Sequence, residues 1–435
     1  MNRIFKRTDI LLPSDGTNLS RWSVIACDQH TSEPEYWQEL EQYVGDAPST
    51  LRMMLPEAYL NRYDSDRPAA VRKINETMEY YLDSGLFRTL SDSYVYLERT
   101  LPGGAVRRGL VGAVDLDAYD YAPGSASPIR ATEGTVEERL PPRVLIRSGA
   151  PLELPHVMVF INDPDDSVLR ACSELLQNSS SVEAAAGPDA TTAENRPEPS
   201  TVSAVSAASA VSDDSDDSAA SAVSALTAAA SCFEDASGRL LYDFDLHAGG
   251  GHLKGWQLTG KAADSVDSAL DRLFAASGTG VLMAIGDGNH SLAAAKKCGD
   301  RYALVEVVNI HDPAVVFEPI HRVVFDTDPS DFIRTCGSQL LSFSRDGLCY
   351  GELVSAAEQL CRDYIAEHGG KIDYIHNDDT ARAMGSRENS FAVLLPPLDK
   401  AALFESVERN GPYPKKSFSI GLADEKRFYL ECRQR

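Results

Sequence analysis

A chain of 435 residues with 43% hydrophobic and 24% charged side chains has material for large cores and two or three domains. No apolar run approaches the roughly 18 to 20 residues that cross a bilayer, and a formal charge of −24 argues against a general nucleic-acid binder that works by neutralising phosphates. Eight scattered cysteines without a Cys-x-x-Cys pair fit reduced thiols rather than a disulfide framework or structural zinc, and the first nine residues lack a signal's apolar segment, so the expectation is a cytoplasmic protein.

Taken in order, Trp22 to Cys27 reads as a buried strand, followed directly by Asp28, Gln29, His30 and Thr31. Ser32-x-x-Glu35 with Pro34 marks the start of a helix carrying Tyr36, Trp37 and Leu40. Polar residues between a strand end and a helix start line ligand sites in α/β folds, and they also serve as plain caps. Asp66 to Gly85 predicts a second helix with Val71, Ile74, Met78 and Tyr81 on one face. Ser93 to Thr100 and Arg107 to Asp115 predict paired strands around Pro102-Gly103-Gly104.

Between Ile129 and Arg147 stand Arg130, Arg139, Arg143 and Arg147, with Thr132, Glu133 and Gly134 among them. Arginine clamps phosphate or carboxylate with two parallel donors; a surface cluster with Glu133, Glu137 and Glu138 is the equal alternative. After a core strand at Leu154 to Ile161 the composition changes. Residues 178–235 hold ten acidic side chains against one Arg, and twenty of the thirty-one residues 201–231 are Ser or Ala. Such a stretch cannot bury enough apolar surface to offset its ordering entropy, so 178–235 is expected to be a disordered insertion. It separates an N-terminal α/β domain (1–177) from a region 236–330 that packs with it, ahead of a small α+β unit at 331–435.

Past the insertion come a strand at Leu240 to Leu246, a glycine turn between His247 and His252, and an amphipathic helix over Ala262 to Ala276. The stretch from Val281 then runs as five apolar residues, the turn Gly286-Asp287-Gly288-Asn289-His290-Ser291, and the helix formers Leu292 to Lys297. A helix start carries unpaired N–H groups and the positive end of the macrodipole, so a glycine turn there suits an anion; sharp turning and capping by Asn289 or Ser291 is the bland reading. Strands follow at Tyr302 to Ile310 and Val315 to Phe325, the latter holding Glu318, His321 and Arg322. A helix at Glu352 to His368, strands at Lys371 to His376 and Ser390 to Leu395, a helix at Leu398 to Asn410 and two closing strands complete a mixed α/β (α+β) chain, with Lys415 and Lys416 before the first closing strand.

The blocks Ala26 to Trp37, Ile129 to Thr135, Asp287 to Ser291, Asn309 to Asp312, Phe317 to Arg322 and Lys415 to Ser419 resemble a bacterial family known as domain of unknown function 1015. The resemblance spans nearly the whole chain outside the Ser/Ala segment and carries no established reaction. Over about fifteen residues the turn is also similar to the phosphate-binding turn of the ParB and sulfiredoxin-like fold, which implies a nucleotide-binding core with added N- and C-terminal α+β elements. Members of that group bind or hydrolyse nucleotides, and one branch phosphorylates free serine. Ser291 stands where those motifs place Arg, so a phosphate clamp must come from elsewhere.

This resemblance leads to a nucleotide-dependent phosphotransferase acting on a small metabolite such as an amino acid, using ATP and Mg²⁺. Asp287, His290 and Glu133 are its expected catalytic groups, with Asp287 also the metal ligand. Gly286, Gly288, Asn289, Ser291, Arg130, Thr132 and Arg143 would hold the nucleotide, and Asp28, Gln29, His30, Glu318, His321 and Arg322 the substrate. The competing reading is a regulatory protein that binds a nucleotide or phosphorylated metabolite without turning it over. A metal-dependent hydrolase built on His290, His311 and His321 lacks any His-Glu-x-x-His spacing, and no cysteine lies in a nucleophile motif.

Overall fold

The computed structural model describes residues 3–59, 67–185, 238–343 and 347–435. Its strands are β1 (Phe5–Lys6), β2 (Thr8–Pro13), β3 (Phe87–Thr100), β4 (Val106–Asp115), β5 (Tyr119–Asp120), β6 (Ile129–Ala131), β7 (Leu152–Glu153), β8 (Met158–Ile161) and β9 (Arg239–Asp245). They continue as β10 (His252–Leu258), β11 (Met283–Asp287), β12 (Tyr302–Asn309), β13 (Phe317–Pro319), β14 (His321–Phe325), β15 (Lys371–Ile375), β16 (Ser390–Val393), β17 (Phe418–Ile420) and β18 (Arg433–Gln434). The fold is mixed α+β, as its sequence implies.

One eleven-stranded sheet organises the molecule, in the order β5-β6-β11-β8-β12-β4-β3-β10-β9, with β1 added to β4 and β2 to β3. Most neighbours are antiparallel; β5 and β11 run parallel to β6, and β12 parallel to β8. Strands before and after the Ser/Ala segment therefore build one sheet. Side chains alternate across its plane: Val95 and Leu97 of β3 enter a core with Trp22, Trp37 and Leu40, while Tyr94 and Tyr96 enter the opposite core. That second core is roofed by the helices Gly260–Ala275 and Asn289–Lys297, which contribute Val266, Leu270, Leu292 and Ala295. Burial on both faces explains why β4, β8 and β12 read as nearly continuous apolar runs. A separate three-stranded sheet, β15-β14-β16, packs Val324 and Phe391 against Phe332 from the helix Pro329–Phe343 and Leu360 from the helix Tyr350–His368.

Several elements differ from the sequence expectation. Trp22 ends a short helix, Leu19–Trp22, and the expected strand after it shrinks to a single bridge between Ile25 and Phe428; apolar runs are buried in either conformation. Ile320 divides Val315 to Phe325 into β13 and β14, which join different sheets. The helix Ser167–Ala185 continues eight residues into the stretch read as an insertion; residues 186–235 of that stretch lie outside the described residues. Among the described residues no helix is long and apolar enough to cross a membrane.

The C-terminal segment crosses the sheet face and is held there by buried charges. Arg427, 6% exposed, is paired with Glu306 and Glu431, each 1% exposed, and its Nε donates to the Pro155 carbonyl at 3.2 Å. Tyr242 donates to the second oxygen of Glu431 at 2.6 Å. Arg99 donates to the carbonyls of Asp424, Glu425 and Gly250 at 2.8–3.0 Å. A buried pair broken on one side leaves an uncompensated charge. Arg427→Met is expected to lower unfolding free energy by about 3–5 kcal/mol in urea titrations; a loss below about 1 kcal/mol would show that this strap is not what fixes the segment.

Candidate functional site

β11 ends at Asp287, and Gly288, with φ of 77°, turns the chain into the helix Asn289–Lys297. The two glycines are required by packing. A Cβ on Gly286 would lie 2.5 Å from Phe160 Cε2, and one on Gly288 would lie 2.9 Å from Val157 Cγ2. Both residues let the turn press against β8 and the residue before it. Asp287 Oδ1 accepts the Gly288 N–H at 2.8 Å, and Oδ2 pairs with Lys426 Nζ at 3.0 Å. The carboxylate thus faces the segment that Arg427 anchors.

The side chains that follow each have a partner. Asn289 accepts from the Tyr119 hydroxyl at 2.6 Å and donates to Thr135 Oγ1 at 2.6 Å and to the Glu133 carbonyl at 3.2 Å. It fastens the turn to the 133–135 loop rather than offering its amide to a ligand. His290 Nε2 accepts the Val136 N–H at 3.0 Å, which places its proton on Nδ1. Ser291 Oγ lies 3.1 Å from His156 Nε2, and His156 Nδ1 lies 3.0 Å from the Tyr429 hydroxyl.

The surroundings polarise the titratable groups in opposite directions. Burial, with Arg139, Arg143 and Lys415 nearby, pushes His290 down to about 4 against the pull of Asp28. Burial opposes ionisation of Asp28, but His156, the Gln29 amide at 3.0 Å, Lys426 and Arg143 outweigh it and hold that carboxyl below its ordinary value. Glu133 moves the other way: burial and the neighbouring Asp287 raise it, although the Lys416 N–H donates to it at 2.6 Å and Lys416 and Ser417 resist. One ionised carboxylate and one reluctant one thus share a basic rim, the pattern that separates electrostatic from proton-transferring carboxylates.

Of the residues expected from sequence, Asp28, Gln29, Glu133, Arg143, Asp287, His290 and Ser291 come together here. Arg143 also forms an ion pair with Glu57, which Arg139 contacts at 3.2 Å. Thr132 is buried and donates to the Ile285 carbonyl at 2.6 Å, tying β6 to β11. Arg130 donates to the Ser127 carbonyl at 2.9 Å and borders a separate depression with Asp120 and Glu408. His30 stacks on Tyr36 at 3.8 Å and bonds Glu33 at 3.2 Å. Glu318 pairs with Ser419 in the β13–β17 ladder. His321 and Arg322 serve the small C-terminal sheet: His321 bonds Asp378 at 2.9 Å and accepts the Leu395 N–H at 3.1 Å, and Arg322 donates to Glu358 at 3.1 Å. Their partners are internal to that unit. Lys426, His156 and Tyr429 complete the site without a local sequence signal, since each is contributed by a remote segment.

The family described as "Protein of unknown function (DUF1015)" matches residues 11–205 and 217–435, and the chain belongs to it. No curated protein matches it. A solved conserved hypothetical protein from Pyrococcus furiosus is 16% identical, with 35% of this chain and 75% of that one covered and a TM-score of 0.26. A free serine kinase mutant in complex with AMP is 15% identical, covering 35% and 73%, at a TM-score of 0.27; a complex of such a mutant with ADP is 14% identical with the same coverage and TM-score. Each likeness spans about a third of this chain, at a TM-score too low to equate the folds.

Gly286→Ala is expected to destabilise the fold by about 1–3 kcal/mol through overpacking, with partial recovery in the Gly286→Ala/Phe160→Leu double variant; equal losses in both would place the strain elsewhere. An unfolded histidine binds its proton near pH 6.5, whereas His290 in the fold does so only near 4. Neutral His290 therefore stabilises the fold above about pH 6.5, and this contribution is lost as the pH falls toward 4. Imidazole NMR should show a ring still neutral at pH 5; a midpoint near 6.5 would contradict this environment.

Proposed function

We propose that the turn 286–291, with Asp28, Glu133, Arg143 and Lys426, is the phosphate-handling centre of a nucleotide-dependent phosphotransferase that acts on a hydroxyl-bearing small metabolite. The family's description names no activity, so the reading rests on the site. The observation that carries it is the divergence of two carboxyls, Asp28 held below its ordinary value and Glu133 raised, at the positive end of a helix rimmed by Arg139, Arg143, Lys415 and Lys426.

Phosphoryl transfer demands positioning and charge neutralisation more than covalent help from the protein. The N–H groups of the helix's first turn and the cations of the rim meet the phosphate oxygens. Arg143 takes the place of the clamp that Ser291 cannot supply. Glu133, the more basic carboxylate, accepts the proton of the acceptor hydroxyl as its oxygen bonds to the γ-phosphorus; the bond from phosphorus to the bridging oxygen breaks and ADP leaves. His290, neutral and fixed by Val136, offers its Nδ1–H as a further donor without adding charge.

Among the described residues no three His, Cys, Asp or Glu side chains form a metal cage. Mg²⁺ that travels with nucleotide phosphates needs only one or two carboxylates, and Asp287 and Asp28 would hold it. Bound there, it would neutralise phosphate charge.

Calorimetry of the full chain with ADP, and ADP release from ATP over a panel of hydroxylated metabolites, test the reading. Glu133→Gln should cut turnover by about 10²–10⁴-fold with ADP affinity little changed, and Lys426→Met should weaken ADP binding. Absence of nucleotide binding by the wild-type chain would end the proposal.

A further inference from the structure

Beside the charged cluster lies a cavity of about 130 Å³ whose apolar lining includes Met53, Met54, Leu55, Met78, Ile146 and Leu152. Arg143, His156, Ser291 and Tyr429 also line it. Arg143 and His156 are two of the groups that hold Asp28 ionised, and Ser291 is hydrogen-bonded to His156. Cavity and cleft therefore share a wall.

We propose, on the phosphotransfer reading above, that this cavity seats the apolar body of the phosphoryl acceptor, so that the substrate is an amphiphilic hydroxy compound whose hydrophobic part has about six or seven carbons. The volume sets the size, since an apolar cavity of about 150 Å³ accommodates benzene. Three methionines give the wall a polarisable, adaptable surface. The other polar groups of the lining are already engaged: Arg147 pairs with Glu153 and Asp300, and His156 is bonded to both Ser291 and Tyr429. A nucleobase placed here would bury ring nitrogens and an exocyclic amine against methionine and leucine without partners, a heavy penalty. An aliphatic or phenyl group suffers none, and its hydroxyl-bearing end would emerge at the wall that the cavity shares with the charged cluster. Cys27, also in the lining, has its thiol pushed up to about 11 by burial and by Asp28, so it stays protonated and is not a competing nucleophile.

The test is calorimetry on the full chain with 3-phenyllactate, with lactate as the same head without the apolar body, and with ADP in parallel. Phenyllactate should bind about ten- to a hundredfold more tightly than lactate. Ala150→Phe, which fills the cavity wall, should abolish that preference and leave ADP affinity unchanged. Met78→Ala should admit a naphthyl analogue that the wild-type chain rejects, which keeps the test valid if Ala150→Phe does not fold. ADP binding with no preference for phenyllactate would overturn the cavity assignment alone. Phenyllactate preference without ADP binding would support the cavity as a ligand site and overturn the phosphotransfer reading on which the acceptor role rests.

Discussion

The position of Arg427, buried between Glu306 of β12 and Glu431 of its own segment, is the constraint on which the site depends. Taking three charges out of water is costly, and the arrangement persists because each has a partner and the guanidinium also reaches the Pro155 carbonyl. Its neighbours inherit their positions from it. Lys426, one residue before, meets Asp287 at the end of β11, and Tyr429, two residues after, meets His156 and the Cys27 backbone. The segment 426–429 thereby joins the loop at Cys27 and Asp28 to the turn that opens the helix Asn289–Lys297.

The electrostatic character of the cleft follows from that convergence. Basic side chains arrive from three separate places: Arg139 and Arg143 from the loop and helix after β6, Lys415 and Lys416 from the approach to β17, and Lys426 from the strap. They surround acidic groups from three others, Asp28, Glu133 and Asp287. In a chain with a formal charge of −24 such a local excess of cations has to be built by tertiary contact. Burial then drives the groups apart: a carboxylate with several cationic neighbours stays ionised, one flanked by another acid holds its proton longer, and a histidine among cations stays neutral.

Much of the fold was legible in the sequence where a single period dominated. The helices Arg67–Asp83, Gly260–Ala275 and Tyr350–His368 follow their apolar spacing, and strand, turn and helix around Asp287 appear as read. The run after Trp22 was misread because a buried coil and a buried strand have the same apolar composition, and the break at Ile320 because both halves of that run are buried in different sheets. At the site, Asp28, Glu133, Arg143, Asp287 and His290 stood out because polar residues at element junctions are visible locally. The function of the glycines was not: what excludes a Cβ at Gly286 is Phe160, far away in sequence. Arg130 illustrates the converse: its guanidinium is held at the Ser127 carbonyl and borders the depression with Asp120 and Glu408. Lys426 and Tyr429 were invisible because nothing in a short closing segment tells which face of a sheet it will cross.

The account comes to one claim, that nucleotide phosphates bind at the start of the helix Asn289–Lys297. A crystal structure of the full chain grown with ADP tests it most directly. The account predicts the diphosphate against the N–H groups of Asn289 and His290, within reach of Arg143 and Lys426. A nucleotide ordered elsewhere, with the Asp287–Lys426 pair undisturbed, would contradict it.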